Sequence, residues 1–168
     1  IAPEPKGLLV IPAFNERDRI GDVLTAVKAR GDALPVIVVD DGSTDGTAER
    51  LDQLSLHCEQ LRVVHLVENR GKAMALRVGA MISNSEYLVC IDADALLDEN
   101  AINWMLPHLQ NSPRVGAVTG NPRIRNRSTL LGKIQVGEFS SIVGLIKRAQ
   151  RIYGRVFTVS GVVTTFRK

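Results

Sequence analysis

Aromatic residues are scarce in this 168-residue chain, 4% of it against 45% apolar and 23% charged residues. So few rings interleaved with the basic residues argue against a module that stacks nucleic-acid bases. Two cysteines, Cys58 and Cys90, make no disulfide framework. Cys90 lies inside an apolar run and reads as a buried free thiol, in keeping with a reducing compartment. The three histidines, His57, His65 and His108, lack metal-ligand spacing and read as ordinary surface or half-buried residues. No run approaches the ~18 consecutive apolar residues of a membrane helix. No stretch has the pattern of a secretory leader, and the chain starts at Ile1 without Met, so it reads as a piece of a longer protein ending in a cut strand, Val162 to Lys168. Neither G-x-G-x-x-G after the first apolar run nor G-x-x-x-x-G-K-[ST] occurs, which argues against a nicotinamide-binding Rossmann site and a P-loop. There is no internal repeat and no low-complexity tract.

What remains is an ordinary globular composition with enough length for one core. Apolar runs alternate with helical patterns. Gly7 to Ile11, Pro35 to Val39, Leu61 to Leu66, Tyr87 to Ile91 and Gly116 to Gly120 read as strands. Ile20, Val23, Leu24 and Val27 fall at helical spacing. Ser43-Thr44-Asp45 offers N-cap chemistry for a helix to about Leu54. Lys72 to Met81 reads as a helix with Ala73, Leu76 and Ala80 on one side, and Asp98 as the cap of a helix to about Leu109. This alternation predicts an α/β fold with a mostly parallel sheet. Ligands of such sheets bind outside the carboxyl ends of the strands.

Three polar strand ends then fall on one rim. Asp92 and Asp94 sit two residues apart at the end of Tyr87 to Ile91, and on an extended segment they point the same way. Two carboxylates so placed suit Mg²⁺ or Mn²⁺, hard ions that prefer oxygen and can hold a diphosphate. Asp40-Asp41 ends the second run; Asp41 can accept from a ribose hydroxyl or a base N–H, with Gly42 letting backbone approach a ligand. The first run ends in Pro12-Ala13-Phe14-Asn15-Glu16, where Pro12 stiffens a turn and Phe14 either packs or lines a pocket. Asn69-Arg70-Gly71-Lys72 opens a helix, whose N-terminus favours anions, and Lys72 adds a cation.

Charge is uneven. Residues 1–120 carry 11 Lys/Arg and 17 Asp/Glu, whereas residues 121–168 carry 10 Lys/Arg and one acid, Glu138. The basic end reads either as a solvated face or as the side that meets an anionic partner. Asn121 to Ser128 reads as a basic loop. Leu130 to Tyr153 reads as one amphipathic helix or two broken near Gly137, with Ile134, Ile142, Leu145, Ile146 and Ile152 packing on their own domain in preference to a membrane surface. Val156 to Val159 and Val162 to Phe166 read as strands around Ser160-Gly161.

The motifs V-I-P-A-F-N-E, V-V-D-D-G-S-T-D-G-T, N-R-G-K-A and C-I-D-A-D-A, in this order, resemble family 2 glycosyltransferases of the GT-A fold. Within that family the later segments, G-A-V-T-G-N-P-R-I-R-N-R-S-T, G-K-I-Q-V-G-E-F-S-S-I-V-G-L-I-K-R and F-T-V-S-G, are similar to those of bacterial synthases that build β-1,6-linked poly-N-acetylglucosamine, a biofilm exopolysaccharide. The resemblance implies inverting transfer of N-acetylglucosamine from a UDP-sugar donor to a polysaccharide acceptor. It places Pro12, Ala13, Phe14 and Glu16 around the base and ribose, Asp41 on the uracil or ribose, Lys72 and Asp92 near the diphosphate, and Asp94 with Asp92 on Mg²⁺ or Mn²⁺. Ser160 and Gly161 fall on the acceptor side, and the Asn121 to Arg127 loop near the active site or acceptor path. It divides the chain into a nucleotide-sugar half, 1–120, and the start of an acceptor half, 121–168. It expects the catalytic base in a T-E-D-type motif downstream of Lys168, and so a chain that binds donor and transfers sugar poorly. It further implies the cytoplasmic face of the bacterial inner membrane, attachment through segments outside this chain, and a small membrane accessory subunit. Alternatives are another family 2 transferase (a polyprenyl-phosphate sugar synthase or a chitin-like synthase) and a non-catalytic nucleotide-binding module. A receiver domain fits poorly, because the candidate Asp92 follows the fourth strand and not the third.

Overall fold

The computed structural model describes residues 7–29, 34–124, 128–139, 141, 145–154, 156 and 159–168. Six strands form one sheet: β1 (Gly7–Ala13), β2 (Val36–Asp40), β3 (Leu61–His65), β4 (Tyr87–Ile91), β5 (Ala117–Thr119) and β6 (Val163–Arg167). Their order is β3-β2-β1-β4-β6-β5, with β1 to β4 parallel and β6 antiparallel to both β4 and β5. The helices are α1 (Arg17–Lys28), α2 (Thr47–Ser55), α3 (Lys72–Ile82), α4 (Ala101–Gln110), α5 (Leu130–Phe139) and α6 (Lys147–Ile152).

The runs of apolar residues arise because the central strands are covered on both faces. Strand alternation splits each run between two cores. Leu9, Ile11, Val36, Val38, Val89 and Ile91 face α1, α2 and α4, packing on Ile20, Val23, Leu51, Ile102 and Met105. Leu8, Val10, Ile37, Val39 and Leu88 face α3. There the fit is close: a Cβ on Gly79 would stand 2.4 Å from Val10 Cγ1. The buried face of α3 is therefore Ala75 and Gly79, with Leu76 and Ala80 half-buried. Ala73, expected on that face, is exposed, because the short approach centres the contact one residue earlier in each turn.

Several local expectations shift. Pro12 lies within β1, buried and opposite Val39, because pairing with β2 continues to Ala13–Asp40. Helix α2 starts at Thr47 with Gly46 in the N-cap position, and of Ser43-Thr44-Asp45 only Asp45 bonds to its first residue. Helix α4 starts at Ala101 with Asn100 in the cap position, while Asp98 Oδ1 accepts the Asn100 N–H at 2.9 Å in the preceding turn.

The described large apolar residues of the stripe from Leu130 to Tyr153 expected to pack on their own domain do not. Leu130, Ile134, Leu145, Ile146, Ile152 and Tyr153 are all exposed, Ile152 at 85%. Helix α5 runs through Gly137 with no break there, and residues 141, 145 and 146 are also helical. Ile142 lies outside the described residues, as do Arg125, Asn126 and Arg127 of the basic loop. Of Val156 to Val159, the described ends Val156 and Val159 belong to no strand, and residues 157 and 158 lie outside the described set. Among the described residues no helix is long and apolar enough to cross a membrane.

Candidate active site

Strands β1, β2 and β4 are parallel, so their carboxyl ends share a rim. A crevice of about 310 Å³ opens there, lined by Pro12, Ala13, Phe14, Glu16, Asp41, Asn69, Gly71, Lys72, Asp92, Ala93 and Asp94. All eight residues expected for donor and metal are in this lining. Asn69, Gly71 and Ala93 are additions; Asn69 and Gly71 belong to the N-R-G-K motif, and Ala93 is the middle of Asp-X-Asp. Phe14 is 44% exposed, which settles its side chain on the crevice and not in the core.

The loops of the rim are tied to one another. Asn15, at φ +56°, donates its N–H to Ser43 Oγ at 2.9 Å and accepts the Thr44 N–H on Oδ1 at 2.9 Å. Asparagine tolerates this left-handed backbone better than most residues. The Glu16 N–H donates to Thr47 Oγ1 at 2.9 Å, and the Arg17 N–H to Asp45 Oδ2 at 3.3 Å. Burial pushes the Asp45 carboxyl up, but hydrogen bonds from the Thr47 hydroxyl, the Thr47 N–H and the Arg17 N–H outweigh it and hold the carboxyl below the usual range. Ser43-Thr44-Asp45 thus fastens the β1–α1 loop, while Asp45 Oδ1, from just before the N-cap position, also accepts the first N–H of α2 at 3.0 Å.

Asp41 is 2% exposed. Its Oδ1 accepts the Arg70 N–H at 2.9 Å and its Oδ2 the Gly71 N–H at 2.7 Å. The carboxylate therefore holds the loop that starts α3 and aims its N-terminus at the crevice. Gly42, at φ +67°, approaches that same loop and not a ligand: a Cβ there would stand 2.6 Å from the Glu68 carbonyl carbon. Its neighbour Asp40 has a separate task. Asp40 Oδ1 accepts the Ser43 N–H at 3.1 Å, and Oδ2 meets His65 Nδ1 at 3.0 Å. His65 Nε2 meets Asp52 Oδ1, also at 3.0 Å. The bond to Asp40, with the Asp52 charge beside it, raises the His65 pKa against the effect of burial.

After Ile91 the chain turns, with the Ala95 N–H bonded to the Asp92 carbonyl at 3.1 Å. Asp92 and Asp94 consequently share the crevice through a turn and not through an extended segment. Burial raises the Asp92 pKa, the Lys72 ammonium opposes that rise, and the Asp94 charge adds to it. Asp94 is exposed and makes no hydrogen bond or ion pair with any described residue. Lys72 Nζ donates to the Asp92 carboxylate and, at 2.6 Å, to the Gly161 carbonyl. Cys90, half-buried and free in β4, has its thiol pushed up to about 11 by burial, with the Lys72 charge opposing.

Ser160 and Gly161 do not line the crevice but lie against it. Besides the Gly161 contact, the Asp92 N–H donates to the Val162 carbonyl at 3.0 Å. The Ser160 N–H donates to Thr119 Oγ1 at 2.7 Å, and Lys147 Nζ lies 3.5 Å from the same oxygen. Burial lowers the Lys147 pKa. Thr119 and Lys147 lie in the two long motifs from Gly116 onward, which assign them no role; the pairing of β5 with β6 brings Thr119 here, and Lys147 reaches it from the first position of α6.

Whether the rim suits a divalent ion can be judged from its donors. No group of three or more His, Cys, Asp or Glu side chains among the described residues forms a closed metal cage. Asp92 and Asp94 alone make an open pair. That matches Mg²⁺ and Mn²⁺, which are bound through one or two carboxylates together with substrate phosphates.

The parallel rim, the paired acids and the helix N-terminus beside them belong to an α/β domain whose architecture is the GT-A fold of glycosyltransferases. Residues 8–168 match the model of glycosyl transferase family 2, and the chain belongs to that family. It is 43% identical over 160 residues to a poly-β-1,6-N-acetyl-D-glucosamine synthase of Staphylococcus aureus (strain MSSA476), covering 95% of this chain and 39% of the relative. The corresponding synthase of Staphylococcus epidermidis is 41% identical over the same shares. The chain thus spans about two fifths of the length of the curated relatives it matches. Among solved structures, the mannosyltransferase PcManGT from Pyrobaculum calidifontis, in complex with GDP-Man and Mn²⁺, superposes with a TM-score of 0.75 at 27% identity, over 99% of this chain and 45% of that one. Staphylococcus aureus TarS 1–349 shares the fold, with a TM-score of 0.61 at 20% identity over 74% of this chain and 38% of that one.

Proposed function

We propose that the rim crevice binds a UDP-sugar, UDP-N-acetylglucosamine, and that the domain serves inverting transfer of the sugar to a growing β-1,6-linked polysaccharide. The observation that carries this reading is the convergence of Phe14, Asp41, Lys72, Asp92 and Asp94 on one crevice at the start of α3. The relatives' names supply the sugar and the linkage. Phe14 and Pro12 offer apolar surface to the base, Glu16 a carboxylate to the ribose, and Asp41 holds the loop against which the nucleotide lies. The N-terminus of α3 and the Lys72 ammonium favour the diphosphate. Asp92 and Asp94 would hold Mg²⁺ or Mn²⁺, which supplies charge neutralisation of the leaving diphosphate. Residues 1–120 form the donor half, and 121–168, with Ser160 and Gly161 beside Lys72, begin the acceptor half.

In-line attack by an acceptor hydroxyl needs a base. Glu138, the one acid after Gly120, is exposed on α5 and does not line the crevice. Asp41 and Asp92 are committed to the contacts above. On this reading the chain alone holds the donor and turns it over poorly. The same reading puts the domain at the cytoplasmic face of a membrane, with the lipid attachment, the accessory subunit and the base supplied from outside these residues.

Calorimetric titration of UDP with and without Mn²⁺ tests the donor site. Binding should need Mn²⁺, and Asp94→Asn should abolish that dependence. The complex of PcManGT with GDP-Man raises a second donor class. GDP competing with UDP on equal terms would overturn the uridine assignment.

A further inference from the structure

Lys72 serves two acceptors at once, the Asp92 carboxylate and the Gly161 carbonyl. Asp94, two residues on, has no partner among the described residues. One member of the acidic pair is thus already neutralised by a cation of the chain's own. A divalent ion at this pair would need the same Asp92 carboxylate, and two cations crowded on it repel each other. A diphosphate changes the balance, because its oxygens can satisfy the ion and the ammonium together.

We propose that Lys72 is a built-in counter-cation that keeps divalent metal off Asp92 until a nucleoside diphosphate arrives, so that metal and nucleotide enter together. The proposal rests on the donor-site reading above. Lys72 is able to move: it sits at the first position of α3, with its side chain 44% exposed. Asp92 is the fixed partner, its side chain 25% exposed and its own N–H bonded to Val162. When the ammonium passes to the diphosphate, the Gly161 carbonyl loses its donor as well. The Ser160–Gly161 segment is then held by the Thr119 hydroxyl and the β6 ladder.

The test follows Mn²⁺ binding without nucleotide by electron paramagnetic resonance, in the native chain, Lys72→Met and Lys72→Arg. Calorimetry then follows UDP binding in Mn²⁺. Lys72→Met should bind Mn²⁺ alone about two- to fivefold tighter, the range of an ion pair near the surface. It should bind UDP with Mn²⁺ about tenfold weaker, from loss of a charge-assisted hydrogen bond. Lys72→Arg, which keeps the cation, should hold Mn²⁺ as weakly as the native chain. Opposite signs for metal and nucleotide are not what a merely structural lysine would yield. Lys72→Met binding Mn²⁺ no tighter than the native chain overturns the proposal, as does Lys72→Arg tightening it equally. A native chain that ignores UDP in Mn²⁺ overturns the donor reading instead, and the Mn²⁺ comparison still decides whether Lys72 competes.

Discussion

Up to Gly120 the central strands are covered on both faces, and the loops at their ends are fastened by side chains of neighbouring loops. Beyond Gly120, among the described residues, only Val163 of β6 joins the main core, whereas Leu130, Ile134, Leu145, Ile146, Ile152 and Tyr153 stand in solvent. The crevice belongs to the first region, yet its edge is finished by the second, through Gly161 on Lys72 and Val162 on Asp92. The crevice therefore draws on two separate sources of stability, the doubly covered strands for most of its lining and the β6 segment for one edge.

Core truncation breaks the comparison most directly. Ile11→Ala empties a fully buried position and should cost about 2–5 kcal/mol in urea unfolding. Ile152→Ala, at an 85% exposed site, should stay within about 0.5 kcal/mol. Similar costs at both sites would erase the distinction between the regions. Next comes Gly42→Ala, which combines a left-handed backbone with a clash on the Glu68 carbonyl carbon. It should lower stability by about 1–3 kcal/mol, and in the same protein weaken UDP binding, since the clash displaces the loop Asp41 holds. Unchanged UDP affinity would mean the loop is not part of the donor site.

Asp45→Ala sharpens the point at lower cost. Losing its bonds to Arg17 and Thr47 should take about 1 kcal/mol from stability. The β1–α1 loop would then hold Phe14 and Glu16 less firmly, visible as a several-fold rise in the Kd for UDP. The smallest effect concerns His65. Its pKa is raised in the fold, so the stabilisation from Asp40 and Asp52 is fully present below the unfolded value of about 6.5 and fades as pH rises through the folded value. With the ring partly exposed, the loss between pH 6 and pH 8 should be under about 1 kcal/mol. His65→Gln should flatten that part of the profile, and a native profile no steeper than the variant's would count against the assignment.

Most of the rim was legible before any coordinates. Buried parallel strands write themselves as apolar runs, and their polar ends fall in sequence next to the runs they close, so Pro12 to Glu16, Asp41, Lys72 and Asp92 to Asp94 could be read locally. What could not be read depends on contacts across the chain. Ser43 and Asp45 have the chemistry of a helix cap, and only the position of Asn15 and Arg17 brings them to the β1–α1 loop. Lys72 reads as a phosphate contact, and nothing local shows that the Asp92 carboxylate and the Gly161 carbonyl also meet it. The exposed stripe after Leu130 has helical spacing, but spacing alone does not say what covers it.

Strand β6 has one more implication, and it concerns the order in which the molecule is assembled. Chain order places β5 before β6, but β5 pairs only with β6, and β6 fills the place beside β4. During synthesis, β1 to β4 can close on one another while the outer flank of β4 waits, with unpaired backbone groups, for residues some seventy positions later. Such late, distant pairing is slow, and an open flank invites other chains. A chain interrupted before Val163 would have most of the rim crevice built and an unpaired edge beside it. Val163 to Arg167 therefore decide whether the flank of β4 pairs within its own chain or recruits a neighbour.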